Sequence, residues 1–279
     1  MRIITILLLV FFVAAGAIYL YHHGEDLKGY IGDQMDSGEF LTIEPRFSAS
    51  QIISAHTNDL ITSAEQSLQE PGLKFYPYLL VEISYKNADH KPLDGILLWS
   101  LSDGELITDT ETWTTTHGFE EMIAHDADAG DYKIVKALAA NQGAMTRDQL
   151  QSYLSLSSRT VDDWIQKTRQ KHLITQRGNQ YALAQKNLEI DVKPQTKINQ
   201  WLNTKPYSHA HREPARFSST EIEKAIHSAF GGNITIRYAR EVYLPIYNIS
   251  IIHSDGTVRT TAWNALNGQP LTPKVKRAS

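Results

Sequence analysis

The tripeptide Arg-Phe-Ser opens two stretches of this chain, RFSASQI at Arg46 and RFSSTEIEKAI at Arg216, and the likeness runs on to Thr108 in the first and Thr272 in the second. Arg46 lies 31 residues before Pro77, and Arg216 lies 29 before Pro245. After the prolines, YLLVEISY and IYNISII put Val81 and Ile83 at the same offsets as Ile249 and Ile251, in runs whose β-branched and aromatic content reads as strands. A proline there fits either the start of an ordinary strand or an edge open to an added peptide strand. A turn follows in each copy, NADHKPLDG and HSDG, and then WSLSDGELIT and WNALNGQPLT share the pattern W-x4-G-x3-T. Asp-Gly and Asn-Gly are the dipeptides that a turn with positive φ selects. Trp99 and Trp263, being equivalent, read as core anchors.

Each copy also carries a helix. Ser218 or Ser219 caps STEIEKAIHSAF with Glu221 closing a capping box, and Ile222, Ile226 and Phe230 form its apolar stripe. In the first copy Ser48 or Ser50 leads the helix, with Ile52, Ile53, His56, Leu60 and Ile61 on one face. Two like units are therefore expected, residues 46–116 and 216–273, each a helix across a small antiparallel sheet in an α+β arrangement. A helix followed by strands with a DG turn and then a G turn resembles the PepSY-like and cystatin-like small αβ modules. That resemblance implies a binding or inhibitory module.

Between the copies, residues 131–188 follow another pattern. YKIVKALAA has helical spacing up to Gly143, Thr146 caps RDQLQSYL, and Ser157 or Ser158 caps a longer helix that turns Val161, Trp164, Ile165 and Thr168 inward. LITQRGNQYALA then reads as two short strands about Arg177-Gly178-Asn179. Three helices and a wing in that order resemble the winged-helix family of helix-turn-helix proteins. The resemblance implies that Arg159, Thr160, Gln166, Lys167 and Gln170 face a groove and that Arg177 sits on the wing. The segment holds nine Lys or Arg against four Asp, a net of +5, whereas the whole chain carries −4. A local basic excess suits a nucleic-acid reader, but Asp162 and Asp163 near the start of the third helix would repel phosphate.

Residues 3–21, IITILLLVFFVAAGAIYLY, contain no charge. Nineteen residues at about 1.5 Å each nearly span a hydrocarbon core of roughly 30 Å, so a transmembrane helix is expected over residues 1–23, with Tyr19 and Tyr21 at its interface. Ala15-Gly16-Ala17 offers the rival reading of a cleaved signal peptide. Arg2 places the N-terminus in the cytoplasm and the soluble part outside it, periplasmic if the cell is Gram-negative; a cytoplasm-facing soluble part is the alternative. Residues 24–45, 117–130 and 189–215 are left as linkers or connections, and 274–279 as a tail.

The residues give little chemistry. Without cysteine there is no disulfide, thiolate nucleophile or Cys-bound zinc, and no nucleophile elbow, HExxH or Gly-rich phosphate loop occurs. His117, Glu121 and His125 have the spacing of one helix face, but Gly118 places His117 ahead of such a helix, so neither a metal nor a cofactor is expected. The expectation is a membrane-anchored, non-enzymatic binding or scaffold protein of an envelope or secretion-type assembly. Its winged helix would touch protein partners, and self-association through the repeats is open. The alternative is a membrane-tethered DNA-binding regulator, which needs the soluble part to face the cytoplasm.

Overall fold

The computed structural model describes residues 39–63, 65–86, 91–198, 202–208, 210–232 and 234–271. The transmembrane helix expected over residues 1–23 lies outside them. Among the described residues no helix is long and apolar enough to cross a membrane; the longest is Ser158–Gln170, thirteen residues with a polar outer face, where about twenty apolar ones are needed. The expectation of a single-span membrane protein with an extracytoplasmic soluble part is corrected accordingly: the fold described is α+β without a spanning helix.

The two copies form one sheet. In chain order the strands are β1 (Phe40–Ile43), β2 (Ser67–Leu68), β3 (Gly72–Lys86), β4 (Pro92–Ser100), β5 (Leu106–Asp109), β6 (Thr114–Thr115), β7 (Ala144–Thr146), β8 (Ile174–Arg177), β9 (Gln180–Leu183), β10 (Thr204–Tyr207), β11 (Ile234–Ile252) and β12 (Val258–Asn264). Nine of them make a sheet ordered β10-β1-β11-β3-β4-β5-β6, with β12 and β2 also on β11. Its centre is the antiparallel pair β3–β11, in which Phe75 faces Pro245, Tyr76 faces Leu244 and Pro77 faces Tyr243. A pseudo-twofold axis therefore passes through the Tyr76–Leu244 pair. The prolines that open the strand motifs lie at this centre and not at an edge. The Pro77 carbonyl accepts from Leu101 N–H at 3.0 Å, away from β11. Since the N and O of one strand residue point to the same side, the missing proline N–H removes no bond to β11.

The pseudo-symmetry is carried by matched hydrogen bonds. Leu101 N–H donates to Pro77 O at 3.0 Å and Ala265 N–H to Pro245 O at 3.1 Å. β2 pairs Leu68 with Ile251 as β11 pairs Ile236 with Ile83. The two Arg-Phe-Ser segments are exchanged: Arg46 and Phe47 donate to Ala265 O, in the tryptophan turn of the second copy, at 2.9 and 3.0 Å, while Arg216 and Phe217 donate to Leu101 O, in that of the first, both at 2.9 Å. Gly104 (φ +70°) and Gly268 (φ +71°) carry those turns, and a Cβ on them would stand 2.8 Å from the Phe217 ring and 3.2 Å from the Phe47 ring. The motif keeps glycine because each turn has a left-handed backbone and receives a phenylalanine from the other copy.

The helices follow their Arg-Phe-Ser segments across. Helix α1 (Ala49–Ala55), capped by Ser48 with Gln51, continues into α2 (Thr57–Leu60). Ile52 and Leu60 then pack on Ile249, Ile251 and Trp263 of the second copy. At the far end of the chain the helix Ser219–Phe230, capped by Ser218 with Glu221, packs Ile222 and Ile226 with Val81, Ile83 and Trp99 of the first. The separate units expected over 46–116 and 216–273 are corrected by this exchange: neither copy covers its own hairpin. A second apolar cluster, with Tyr78, Leu80, Val242, Leu244 and Ile246, lies near the axis on the alternate residues of β3 and β11.

Between the copies come α3 (Phe119–Ala124), α4 (Ala129–Ala140), α5 (Arg147–Leu154) and α6 (Ser158–Gln170), the Ser219–Phe230 helix being α7. β7, β9 and β8 form a three-stranded antiparallel sheet beside α4, α5 and α6. This insert shares its core with the large sheet, since Tyr132, Val135, Leu138, Leu150, Val161 and Ile165 belong to the same cluster as Leu79, Val81 and Trp99. Phe119 is the joint: its ring lies 4.8 Å from that of Trp99, 5.9 Å from Tyr132 and 6.3 Å from Phe230. The buried Glu105 carboxylate fixes it, accepting from Gly118 N–H at 2.8 Å, Phe119 N–H at 3.3 Å and Thr116 Oγ1 at 2.7 Å. It caps α3, whose N-cap residue Gly118 has no side chain to do so.

Phe217 is 5% exposed and Phe47 is 39% exposed, so the two exchanged rings are not of equal weight. Phe217→Ala is expected to lower stability by about 3–5 kcal/mol and Phe47→Ala by about 1–2 kcal/mol in urea titrations. Gly104→Ala, strained by its φ and crowded by Phe217, is expected to cost about 1–3 kcal/mol.

Candidate partner-binding face

Helix α6 is positioned from beneath. Ser157 caps it, accepting from Thr160 N–H at 3.2 Å, with Thr160 Oγ1 only 2.8 Å from the same hydroxyl. Val161, Ile165 and Thr168 are buried, one turn apart, with Trp164 half-buried beside them. Asp131, 1% exposed, crosses from α4: its Oδ1 accepts from Thr168 Oγ1 at 2.7 Å, and its Oδ2 from Lys171 Nζ at 2.6 Å. Lys171 Nζ also donates to Asp126 O at 2.8 Å; burial works against its charge, and the Asp131 hydrogen bond together with the carboxylates of Asp131, Asp128 and Asp126 outweighs it and raises its pKa. Lys133 of α4 stands over the Trp164 ring at 5.3 Å. The helix is thereby held at both its middle and its end, on a base that is itself part of the main core.

The opposite face of α6 is polar and open. Arg159, Gln166 and Gln170, spaced i, i+7 and i+11, share its centre and are all exposed. Lys167 is also exposed but belongs to an ion pair with Asp163 at 2.9 Å. Thr160 is half-buried and committed to the N-terminal cap. Arg177 is exposed on the β8–β9 hairpin, paired with Gln180 across the Gly178-Asn179 turn. The structure thus brings Arg159, Gln166 and Gln170 together, places Lys167 on one flank, and turns Thr160 to a structural role.

The two aspartates on this face are neutralised within the insert. Arg147 of α5 reaches Asp162 with Nε at 2.8 Å and Nη2 at 2.9 Å, a bidentate pair, and its side-chain hydrogen bonds hold the Asp162 carboxyl below the usual range. Asp163 is met by Lys167 one turn on. Arg147 was missed from the sequence because its partner is fifteen residues away on another helix; only its place in the first turn of α5 hinted that it faces α6. Arg159, Arg169, Arg177 and Lys186 form no ion pair among the described residues.

A groove of about 850 Å³ lies on another side of the insert, lined by Gln142, Met145, Asp148, Gln149, Ser152 and Tyr153 among others. The histidine spacing read from the sequence does not converge: His117 precedes α3 in extended chain, its carbonyl accepting from Glu189 N–H at 2.7 Å, while His125 ends the helix. Among the described residues no three His, Asp or Glu side chains are placed to hold a metal ion. Trp99 and Trp263 are both buried in the core, so neither offers a ligand platform. Comparisons of the chain with protein-family models, with curated proteins and with solved structures found no match.

Because nothing in the fold leans on the open face, Arg159→Ala, Gln166→Ala and Gln170→Ala are each expected to leave stability within about 0.5 kcal/mol of the parent in thermal melts. Asp131→Ala, which takes the carboxylate from Lys171 and the Thr168 hydroxyl while Asp126 O and Trp164 O still accept from them, is expected to cost about 1–3 kcal/mol in thermal melts.

Proposed function

We propose that this is a non-catalytic binding protein that holds a protein partner on the solvent face of α6. The observation that carries the reading is the ion pairing of Asp162 with Arg147 and of Asp163 with Lys167, which cancels the charge of both aspartates and leaves Arg159, Gln166 and Gln170 at the centre of the face. Arginine and amide side chains around self-compensated charges suit a polar protein surface, where specificity comes from directed hydrogen bonds. They suit a polyanion less, since phosphate contacts draw on unpaired cations and of the three residues at the centre of the face only Arg159 is one. The likeness of the element order to winged helices, three helices with an antiparallel wing, is compatible with this use, because such a module presents its third helix outward whatever the partner.

Duplex DNA is the second reading. It is favoured by the same pairs seen from the other side, since Arg147 and Lys167 cancel the repulsion expected from Asp162 and Asp163, and arginine with glutamine is the chemistry of base edges.

A photo-crosslinking residue placed at position 166 or 170 of the full chain is expected to yield protein adducts in its native cells, lost with Arg159→Glu and absent when the same residue stands at the exposed position 65. Titration of the purified chain with duplex DNA is expected to give no saturable binding at physiological salt. Tight binding with a log–log salt slope of about −3 to −4, as Arg159, Arg169, Arg177 and Lys186 would give at about 0.9 per phosphate, would replace the protein reading with the DNA one.

A further inference from the structure

One row of side chains on the large sheet changes character part-way along. Tyr78 and Leu80 of β3 and Val242 and Leu244 of β11 belong to the buried cluster near the axis. Because successive strand residues alternate between faces, the same face continues through Glu82 on β3 and through Arg240 and Tyr238 on β11, with Arg240 opposite Leu80 and Tyr238 opposite Glu82. Here the surface opens: Glu82 is exposed and Tyr238 is 51% exposed. The insert and α7 pack with Val81 and Ile83 on the other face, so neither covers this patch.

Two charges on the patch are unmatched within the chain. Arg237, at the bulge, reaches Asp94 at 2.9 Å. Arg240 and Glu82 are left over: neither side chain forms a hydrogen bond or an ion pair among the described residues, with each other or with any other group. Arg240 lies diagonally from Glu82, opposite the apolar Leu80, and its guanidinium meets only the Tyr238 ring, 6.0 Å from the centroid. Its Nε is shut off from solvent with no acceptor, and a buried donor in that state gains from an acceptor brought in from outside. The repeat does not account for these residues. By the register that matches Pro77 to Pro245, the counterparts of Tyr238, Arg240 and Glu82 are Glu70, Gly72 and Ser250, so the tyrosine and both charges are additions to the shared framework.

A patch that carries one unmatched cation and one unmatched anion beside an exposed tyrosine is complementary to itself. We propose that it is a contact between two copies of the chain related by a twofold axis, in which Arg240 of one copy meets Glu82 of the other, and Glu82 meets Arg240. An axis that passes between Arg240 and Glu82 in the plane between the two sheets makes both pairs at once and brings the two Tyr238 rings together. Arginine and tyrosine are the side chains on which such contacts most depend, and the second copy supplies the carboxylate that the Arg240 guanidinium lacks in its own chain. The contact lies on the face of the sheet away from the insert and does not rest on the reading of the α6 face.

Sedimentation velocity of the full chain over a range of concentrations is expected to show a reversible monomer–dimer equilibrium that weakens with salt. Glu82→Arg and Arg240→Glu each set like charges against one another at both pairs, and each is expected to weaken association about tenfold while the thermal transition stays cooperative. Glu82→Gln, which removes a charge without opposing one, is expected to weaken it less than Glu82→Arg. In an equimolar mixture of Glu82→Arg and Arg240→Glu chains the mixed dimer has opposite charges at both pairs, and association is expected to return to that of the parent; the chain carrying both substitutions is expected to do the same. The proposal is overturned if the parent chain stays monomeric, or if it associates but Glu82→Arg, at an exposed position where the fold tolerates it, leaves the association unchanged, which would place the contact elsewhere on the chain. It is equally overturned if both single variants weaken association and neither the mixture nor the double substitution restores it.

Discussion

Everything in this molecule hangs on the antiparallel pairing of β3 with β11, two strands from opposite ends of the chain. The pairing runs from Phe75 to Tyr85 against Ile234 to Pro245, with one bulge at Ile236/Tyr238. Bringing these strands together closes a loop of well over a hundred residues, but closure cost grows only slowly with length. Most of the intervening chain also folds against the sheet, so the loop is not slack. Once the pair forms, the two Arg-Phe-Ser segments find the two tryptophan turns within reach on opposite sides, and each helix drops onto the hairpin of the other copy. An arrangement in which each copy covered itself would leave the two halves joined only by the β3–β11 pairing and the cluster of Tyr78, Leu80, Val242, Leu244 and Ile246 upon it. The exchange makes the halves share both apolar cover and hydrogen bonds.

The insert is tied to this frame and not tethered beside it. Phe119 touches Trp99, Tyr132 and Phe230, and so links the large sheet, the insert and the α7 helix in one aromatic contact set. Lys136 of α4 reinforces the joint by donating to Ala229 O at 3.0 Å at the end of α7, although burial pushes its ammonium below the usual lysine range. The pairs Arg216–Glu120 and Lys224–Asp126 span the same boundary from the surface. The consequence is that the open face of α6 has a fixed orientation relative to the sheet.

Where the copies differ, the difference follows from the insertion. Glu105 is buried because the chain after the first tryptophan turn goes on to make α3 and needs a cap; its counterpart Gln269 has no such helix to serve among the described residues and is exposed. The edge of β4 is covered because the chain returning from the insert passes over it on the way to the second copy. The edge of β12 has no such return segment among the described residues. Duplicated strands thus keep their register, while side chains and edges diverge with what the chain does next.

The sequence by itself determined the local parts: the repeat, a serine cap on each copy's helix with Glu221 closing the second, the tryptophan turns with their glycines, and the three helices and β8–β9 hairpin of the insert, though not β7. All of these rest on interactions within a few residues, where spacing and side-chain type carry the information. The winged-helix resemblance also put Arg159, Gln166 and Gln170, together with Thr160 and Lys167, on the outward side of the third helix. The sequence did not reveal that Arg147 would quench Asp162, nor that Thr160 would be used up by its own cap. Tertiary structure alone decided which helix covers which hairpin, because Ile52 and Ile222 have the same apolar pattern and would suit either sheet. The choice was made by the β3–β11 register, which sets each Arg-Phe-Ser segment against the other copy's turn, and a register between strands so distant in sequence leaves no trace in either one.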